Sequence, residues 1–170
     1  MHPQRQRIET YVAEHPGAHF SELSRELDLA TGQVQYHVRK LVRGDVLARK
    51  QLYGRTHFYP PEYDDWERSA LALLRRETAR DILFTLLEDG PAHPDTVADA
   101  VGVARATLEY HVDRLVEQDL IDKEYGDGNR VSLSVTDPEA TAELLAAIEP
   151  SLPDRLIDRF VVLVDDLFSD

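Results

Sequence analysis

One stretch of this chain occurs twice, and that repeat restricts the folds open to it more than any other feature. Displacing the sequence by 74 residues lays GQVQYHVRKLVRGDVL (32–47) on ATLEYHVDRLVEQDLI (106–121) without a gap. The same displacement pairs Ile8 with Ile82, His19 with His93, Ala30 with Ala104, Asp45 with Asp119 and Gly54 with Gly128. One unit of about 55 residues is therefore present at roughly 5–60 and again at 79–135. Two copies of so long a unit predict paired small domains, since an open solenoid needs more repeats to bury its faces.

Each unit has the same local grammar. Ile8, Tyr11 and Val12 mark a first amphipathic helix that should stop at His15-Pro16-Gly17. Leu23 and Leu27 lie one turn apart on a short second helix, whose counterpart opens at Pro94-Asp95, where proline suits the first turn and aspartate the positive helix end. A third helix is expected over 31–43 and 105–117, with Val34, Val38, Leu41 and Val42 inward, and Leu108, Val112, Leu115 and Val116 in the second copy. The period then changes. Leu47–Tyr59 carries Tyr53-Gly54 between two apolar-bearing runs, and Ile121–Val135 carries Gly126-Asp127-Gly128 before the alternation Val131, Leu133, Val135. Both read as hairpins with glycine at the turn. The expected fold is mainly α with small β-hairpin wings: tandem winged helix-turn-helix domains at 1–60 and 79–137, a linker helix at 61–78 and C-terminal helices at 138–170.

With a small residue, then Tyr-His-Val, then Leu, and an apolar pair before the wing, the chain resembles archaeal winged helix-turn-helix transcription regulators of the broad ArsR and MarR kind. The resemblance spans both units. It implies that the third helix enters the major groove of double-stranded DNA while the wing touches the neighbouring backbone. It also brings in a metal-sensing branch built on a cysteine pair in the third helix. This chain has no cysteine, so neither thiolate sensing nor disulfide stapling is expected.

Charge separates the two copies. The chain carries 32 acidic and 19 basic side chains, for a formal net charge of −13. Such an excess of Asp and Glu, with 16 Arg but only 3 Lys, resembles proteins of salt-accumulating haloarchaea. By segment the nets are +3 for 1–60, −2 for 61–78, −8 for 79–137 and −6 for 138–170. A strongly acidic chain is a poor nucleic-acid ligand as a whole, so its one positive segment is a functional signal.

Carried onto the first unit, the resemblance assigns DNA binding to Thr31, Gln33, Gln35, Tyr36, Arg39, Lys40 and Arg43 on the third helix. In the wing it adds Arg49, Lys50, Arg55 and His57. Glutamine reads adenine through both amide groups, arginine reads guanine as a fork, and Thr or Lys holds phosphate. Tyr36 either packs on the wing or meets a phosphate. In the second unit Gln35, Arg39 and Arg43 become Glu109, Asp113 and Glu117, an acidic stripe at helical spacing that should repel phosphate. That unit is expected to assemble, to sense, or to dock a protein partner. His37 and His111 share an inward slot and are expected to pack half-buried, each donating one hydrogen bond.

No P-loop, dinucleotide fingerprint, HExxH pair or nucleophile elbow is present, so an enzyme is not expected, nor a metal or other cofactor. With no apolar run of membrane-spanning length and no charged leader before an apolar stretch, a cytoplasmic location is expected.

Between the units, Pro60-Pro61 should end the first wing, and Glu62-Tyr63-Asp64-Asp65 should begin a helix that carries Trp66, Ala70, Leu71, Leu73 and Leu74. Trp66 fills a groove of its own subunit or packs across a two-fold axis. The last helix places Leu156, Phe160, Leu163 and Leu167 on one side, a stripe that either closes the second core or pairs two chains into a homodimer. The functional expectation is a sequence-specific, dimeric regulator whose first domain reads DNA. The rivals are a winged-helix protein-interaction module without specific DNA binding and a regulator that senses an effector.

Overall fold

In the computed structural model, residues 2–148 are described. They fall into two compact units that divide between Ala72 and Leu73. The fold is mainly helical with small antiparallel sheets.

The first unit runs α1 (Pro3–Glu14), β1 (Ala18–His19), α2 (Phe20–Leu27), α3 (Thr31–Arg43), β2 (Ala48–Leu52) and β3 (Arg55–Tyr59), and α4 (Asp65–Leu74) carries the chain across the division. Histidines start two of these helices. His2 Nδ1 accepts from the Gln4 amide (3.1 Å) and His19 Nδ1 from the Glu22 amide (3.2 Å), where a hydroxyl or carboxylate is more usual. α2 stops at Asp28 in the left-handed region (φ 51°), and Leu29 already donates back to Ser24. Ile8, Val12, Leu23 and Val34 have no exposed area, and Leu41, Leu47 and Phe58 complete the core between the three helices and the sheet.

The first wing is a two-residue hairpin. Tyr53 and Gly54 both take positive φ (48° and 80°), the handedness that matches the twist of the flanking strands. The register pairs Ala48 with Tyr59, Arg49 with Phe58, Lys50 with His57 and Leu52 with Arg55. β3 also pairs with β1, His19 opposite His57. This third strand is not anticipated by the sequence pattern, because two residues have no period to detect.

α4 begins at Asp65, later than the acidic run suggested. Asp64 caps it reciprocally with Glu67 (2.8 and 3.0 Å). Its first turns are fastened to the wing, Tyr59 Oη donating to the Arg68 carbonyl (2.5 Å) and Lys50 meeting Asp65 (2.8 Å). α4 ends at Leu74, and Arg80 donates to the carbonyls of Leu74 and Arg75 (3.4 and 3.2 Å).

The second unit repeats the scheme: α5 (Glu77–Asp89), α6 (Pro94–Val101), α7 (Arg105–Glu117), β4 (Ile121–Tyr125), β5 (Val131–Val135) and α8 (Pro138–Ile148). The third helices of both units have the bounds that periodicity predicted. Ile82, Leu83, Val97, Leu108, Leu115 and Leu133 are fully buried. A bridge between Ala92 and Leu133 stands where the first unit has β1. The β4–β5 turn is longer than its counterpart and uses positive φ at Gly128 and Asn129. The C-terminal stripe of Leu156, Phe160, Leu163 and Leu167 lies outside the described residues.

Candidate nucleic-acid interface

α3 is divided cleanly between two environments. Val34, His37, Val38 and Leu41 are buried, whereas Thr31, Gly32, Gln33, Gln35, Tyr36, Arg39, Lys40 and Arg43 are all exposed. Spacing of three to four residues forces this division, since the same face recurs once per turn. Among the described residues no carboxylate pairs with Arg39, Arg43, Arg49 or Arg55, while the next helix face is held by a continuous apolar core.

Between α3 and the wing lies a cleft of about 220 Å³. Val42 and Phe58 form part of its floor, and Gln35, Arg39, Arg49 and Thr56 bring polar groups to it from both sides. The strand register explains the wing's share. Arg49 stands opposite Phe58 and Gln51 opposite Thr56, so these positions share a face. Thr56 was not selected from the sequence, although its alternation with Phe58 on β3 carried the signal.

Lys50 and His57 belong to the other face of the hairpin. Lys50 forms its ion pair with Asp65 there, and that hydrogen bond holds the Asp65 carboxyl below the usual carboxylate range. His57 was expected to join the wing's DNA contacts, and the structure corrects this. It is 6% exposed, and its Nδ1 is 2.7 Å from the Gly17 carbonyl, so it ties the sheet to the loop after α1.

Gln33 has a structural task as well as an exposed position. Its amide oxygen accepts from the Ala30 N–H (3.0 Å) at the start of α3, where Ala30 offers no side-chain cap. Tyr36 is 54% exposed, with Lys40 Nζ 5.2 Å from its ring centre and His37 at its edge (5.2 Å). His37 differs from expectation. It is buried, its Nδ1 has no hydrogen-bond partner, and the His2 ring lies 4.7 Å away. Burial, with His2, Arg5 and Lys40 nearby, lowers its pKa from the ordinary histidine value. Trp66 is half-buried.

The corresponding face of the second unit is chemically closed. Arg105, at the position of Thr31, bonds both Asp95 and Glu109, the latter at 2.9 Å. Lys123, at the position of Arg49, lies 3.5 Å from Glu109. Burial alone would raise the Glu109 carboxyl, but the Arg105 hydrogen bond and the Lys123 charge outweigh it and hold the group low. Asp113 and Glu117 remain exposed. Among the described residues no group of three or more His, Cys, Asp or Glu side chains could hold a metal ion, and no helix is long and apolar enough to cross a membrane.

Residues 2–71 match a family described as an N-terminal HTH domain, and residues 75–122 match one described as winged helix-turn-helix DNA-binding. Each unit thus matches a helix-turn-helix domain model of its own. The chain is also similar to the HTH-type transcriptional regulator MJ1398 of Methanocaldococcus jannaschii, at 28% identity over 127 residues. The similarity covers 75% of this chain and 32% of the relative, so the chain spans about a third of that protein's length. Among solved structures, similarity extends to AbfR in a DNA-bound form (15% identity, TM-score 0.42, 81% of this chain and 88% of that one). It extends also to the transcriptional regulator BldR of Sulfolobus solfataricus (16% identity, TM-score 0.35, 88% and 86%).

Proposed function

We propose that this chain is a sequence-specific DNA-binding transcription regulator of the archaeal type, in which the first winged helix reads the duplex. The observation that carries this reading is the cationic face of α3 and its wing, open and unmatched by carboxylates in a chain of net charge −13. Gln35, Arg39 and Arg43 are placed one turn apart for base edges, while Thr31, Tyr36, Lys40, Arg49 and Arg55 flank them for phosphates. Gln33 belongs to the start of the helix, because its amide oxygen already accepts a backbone hydrogen bond. The second unit does not read bases. Its helix face presents Asp113 and Glu117, and Arg105 and Lys123 are engaged by its own carboxylates.

The similarity to an HTH-type transcriptional regulator supports the same reading. A homodimer would set two α3 helices on a palindrome about one helical turn apart, and the apolar C-terminal stripe of Leu156, Phe160, Leu163 and Leu167 offers the pairing surface in sequence. The regulator works in the cytoplasm with the chromosome.

The test is selection of a preferred duplex from a randomised pool, followed by titration of Arg39→Glu, Arg43→Glu. Each base-reading arginine is worth about 1–3 kcal/mol, so the double variant should lose about a hundredfold in affinity or more while keeping its helical circular dichroism. Unchanged affinity at matched salt would remove α3 from the reading role.

A further inference from the structure

On the inward side of α3 one buried imidazole is left unsatisfied. His37 is 5% exposed, and its Nδ1 has no hydrogen-bond partner among the described residues. The charged groups that act on it share one sign. From the start of α1 come Arg5 and His2, whose ring centre is 4.7 Å away, and from α3 itself comes Lys40. The Tyr36 ring, also on α3, meets it edge-on at 5.2 Å. α2 packs on α3 too, but its Glu22 accepts from Tyr11 (3.0 Å) and its Arg25 pairs with Glu26 (3.3 Å), and none of these charges acts on the ring.

The histidine at the start of α1 is held in one tautomer. Its Nδ1 accepts the Gln4 amide (3.1 Å), so the ring carries its proton on Nε2, as a donor. Among the described residues no carboxylate pairs with Arg5 or Lys40. Lys40 Nζ lies 5.2 Å from the ring centre of Tyr36, which is exposed. Guanidinium, ammonium, phenol and imidazole N–H thus surround one buried ring, with no anion among them, in a chain of net charge −13. Cations held together repel, and one phosphate between them removes that repulsion. The second copy does not repeat this chemistry. Where the first has His2 and Lys40 it has Arg76 and Arg114, so its His111 faces arginines, whose charge does not change with pH.

We propose that His2, Arg5, Tyr36 and Lys40 hold one backbone phosphate of the duplex, and that His37 takes up a proton from solvent as that phosphate arrives. The proposal rests on the DNA-binding reading above, in which Tyr36 and Lys40 already face phosphate; the start of α1 adds two donors to them. Such a set suits a phosphodiester, which accepts from several N–H and O–H groups and carries no base information. In the free protein burial first, then His2, Arg5 and Lys40, lower the pKa of His37, so its ring is neutral. A bound phosphate offsets those cations and lets the ring charge. The complex then carries more protons than the free protein, and linkage makes affinity rise as pH falls through the histidine range. The first unit thereby grips the duplex harder in acid without changing the bases it prefers.

The experiment uses the full chain with the selected duplex and a scrambled one, across a salt series and, at matched ionic strength, from about pH 7.5 to about pH 5.5. The unaltered protein should bind both duplexes about threefold to tenfold more tightly at the acid end, the effect of up to one proton. His37→Gln should lose most of that rise. Arg5→Gln should weaken both duplexes alike and flatten the slope of log affinity against log salt by up to about 0.9, the share of one phosphate contact. Arg39→Gln, Arg43→Gln serves as the contrast and should erase the difference between duplexes. If that contrast holds while Arg5→Gln leaves affinity and salt slope unchanged, the seat is wrong and the reading role of the first unit stands. A full acid rise in His37→Gln overturns the proton uptake. Should that variant not fold, the His37 imidazole signals of the unaltered protein decide: they should titrate at higher pH with duplex than without, and an unmoved midpoint overturns the uptake. If the unaltered protein binds neither duplex, both proposals fall. Inorganic phosphate in place of chloride gives the last arm. A His37 shift there, with duplex affinity unmoved by Arg5→Gln, would assign the seat to free phosphate and overturn the backbone contact.

Discussion

His37 shows how a single residue can look alike in two copies and differ in its surroundings. It and His111 follow the same tyrosine in the same repeat, yet His37 is buried with an unpartnered Nδ1, while His111 is half-exposed. A protonated imidazole in the His37 slot would face His2, Arg5 and Lys40, all of one sign. The folded state therefore favours the neutral ring, and its pKa lies below the unfolded value of about 6.5. Between those two values the unfolded chain binds more protons, so stability is full above about pH 6.5 and declines as pH falls through this window. Urea unfolding at a series of pH values should show that decline, with His37→Gln giving a flatter curve. An equal slope in the variant would place the effect elsewhere, His111 being the next candidate because its pKa is lowered too.

At the scale of the element, α3 had to satisfy two demands at once, packing and display. Its bounds were legible because Val34, Val38 and Leu41 recur at helical spacing, and the same spacing leaves Gln35, Arg39 and Arg43 on the solvent side. How the helix starts was not legible. Ala30 has no capping group, so the sequence offered Gln33 only as an exposed polar residue, whereas folding brings its oxygen to the Ala30 N–H. Gln33→Ala should therefore cost about 0.5–1 kcal/mol, read as a shift in the denaturation midpoint, and leave preference among duplexes unchanged. A lost preference with unchanged stability would return Gln33 to base reading. The wing teaches the same lesson through register. Arg49, Lys50 and His57 read alike as basic wing residues, but strand alternation sends Lys50 and His57 to the face that meets Asp65 and Gly17.

The whole molecule is governed by its charge. At 0.1 M salt the screening length of about 10 Å lets carboxylates on neighbouring elements repel, and at 1 M it shrinks to about 3 Å. A chain of net charge −13 should accordingly gain stability between those two conditions, seen as a higher thermal midpoint by circular dichroism. Duplex affinity should fall over the same range, because each counterion that a phosphate contact releases gains less entropy in concentrated salt. A midpoint that stays flat or drops would mean that local pairs such as Arg105 with Asp95 and Glu109 already neutralise the repulsion.

Sequence alone determined the repeat, the three helices of each unit, both hairpins and the charge on the exposed face of each third helix. These follow from local periodicity and formal charge, which neighbours along the chain set. Tertiary structure decided which charges stay open to solvent. The pairing of Lys50 with Asp65, of Lys123 with Glu109, and of Arg76 with Tyr110 joins residues 14 to 34 positions apart. No pattern of adjacent residues encodes such meetings. They depend on how helices and strands pack, and packing determines whether a cation awaits a partner outside the molecule or already has one within it.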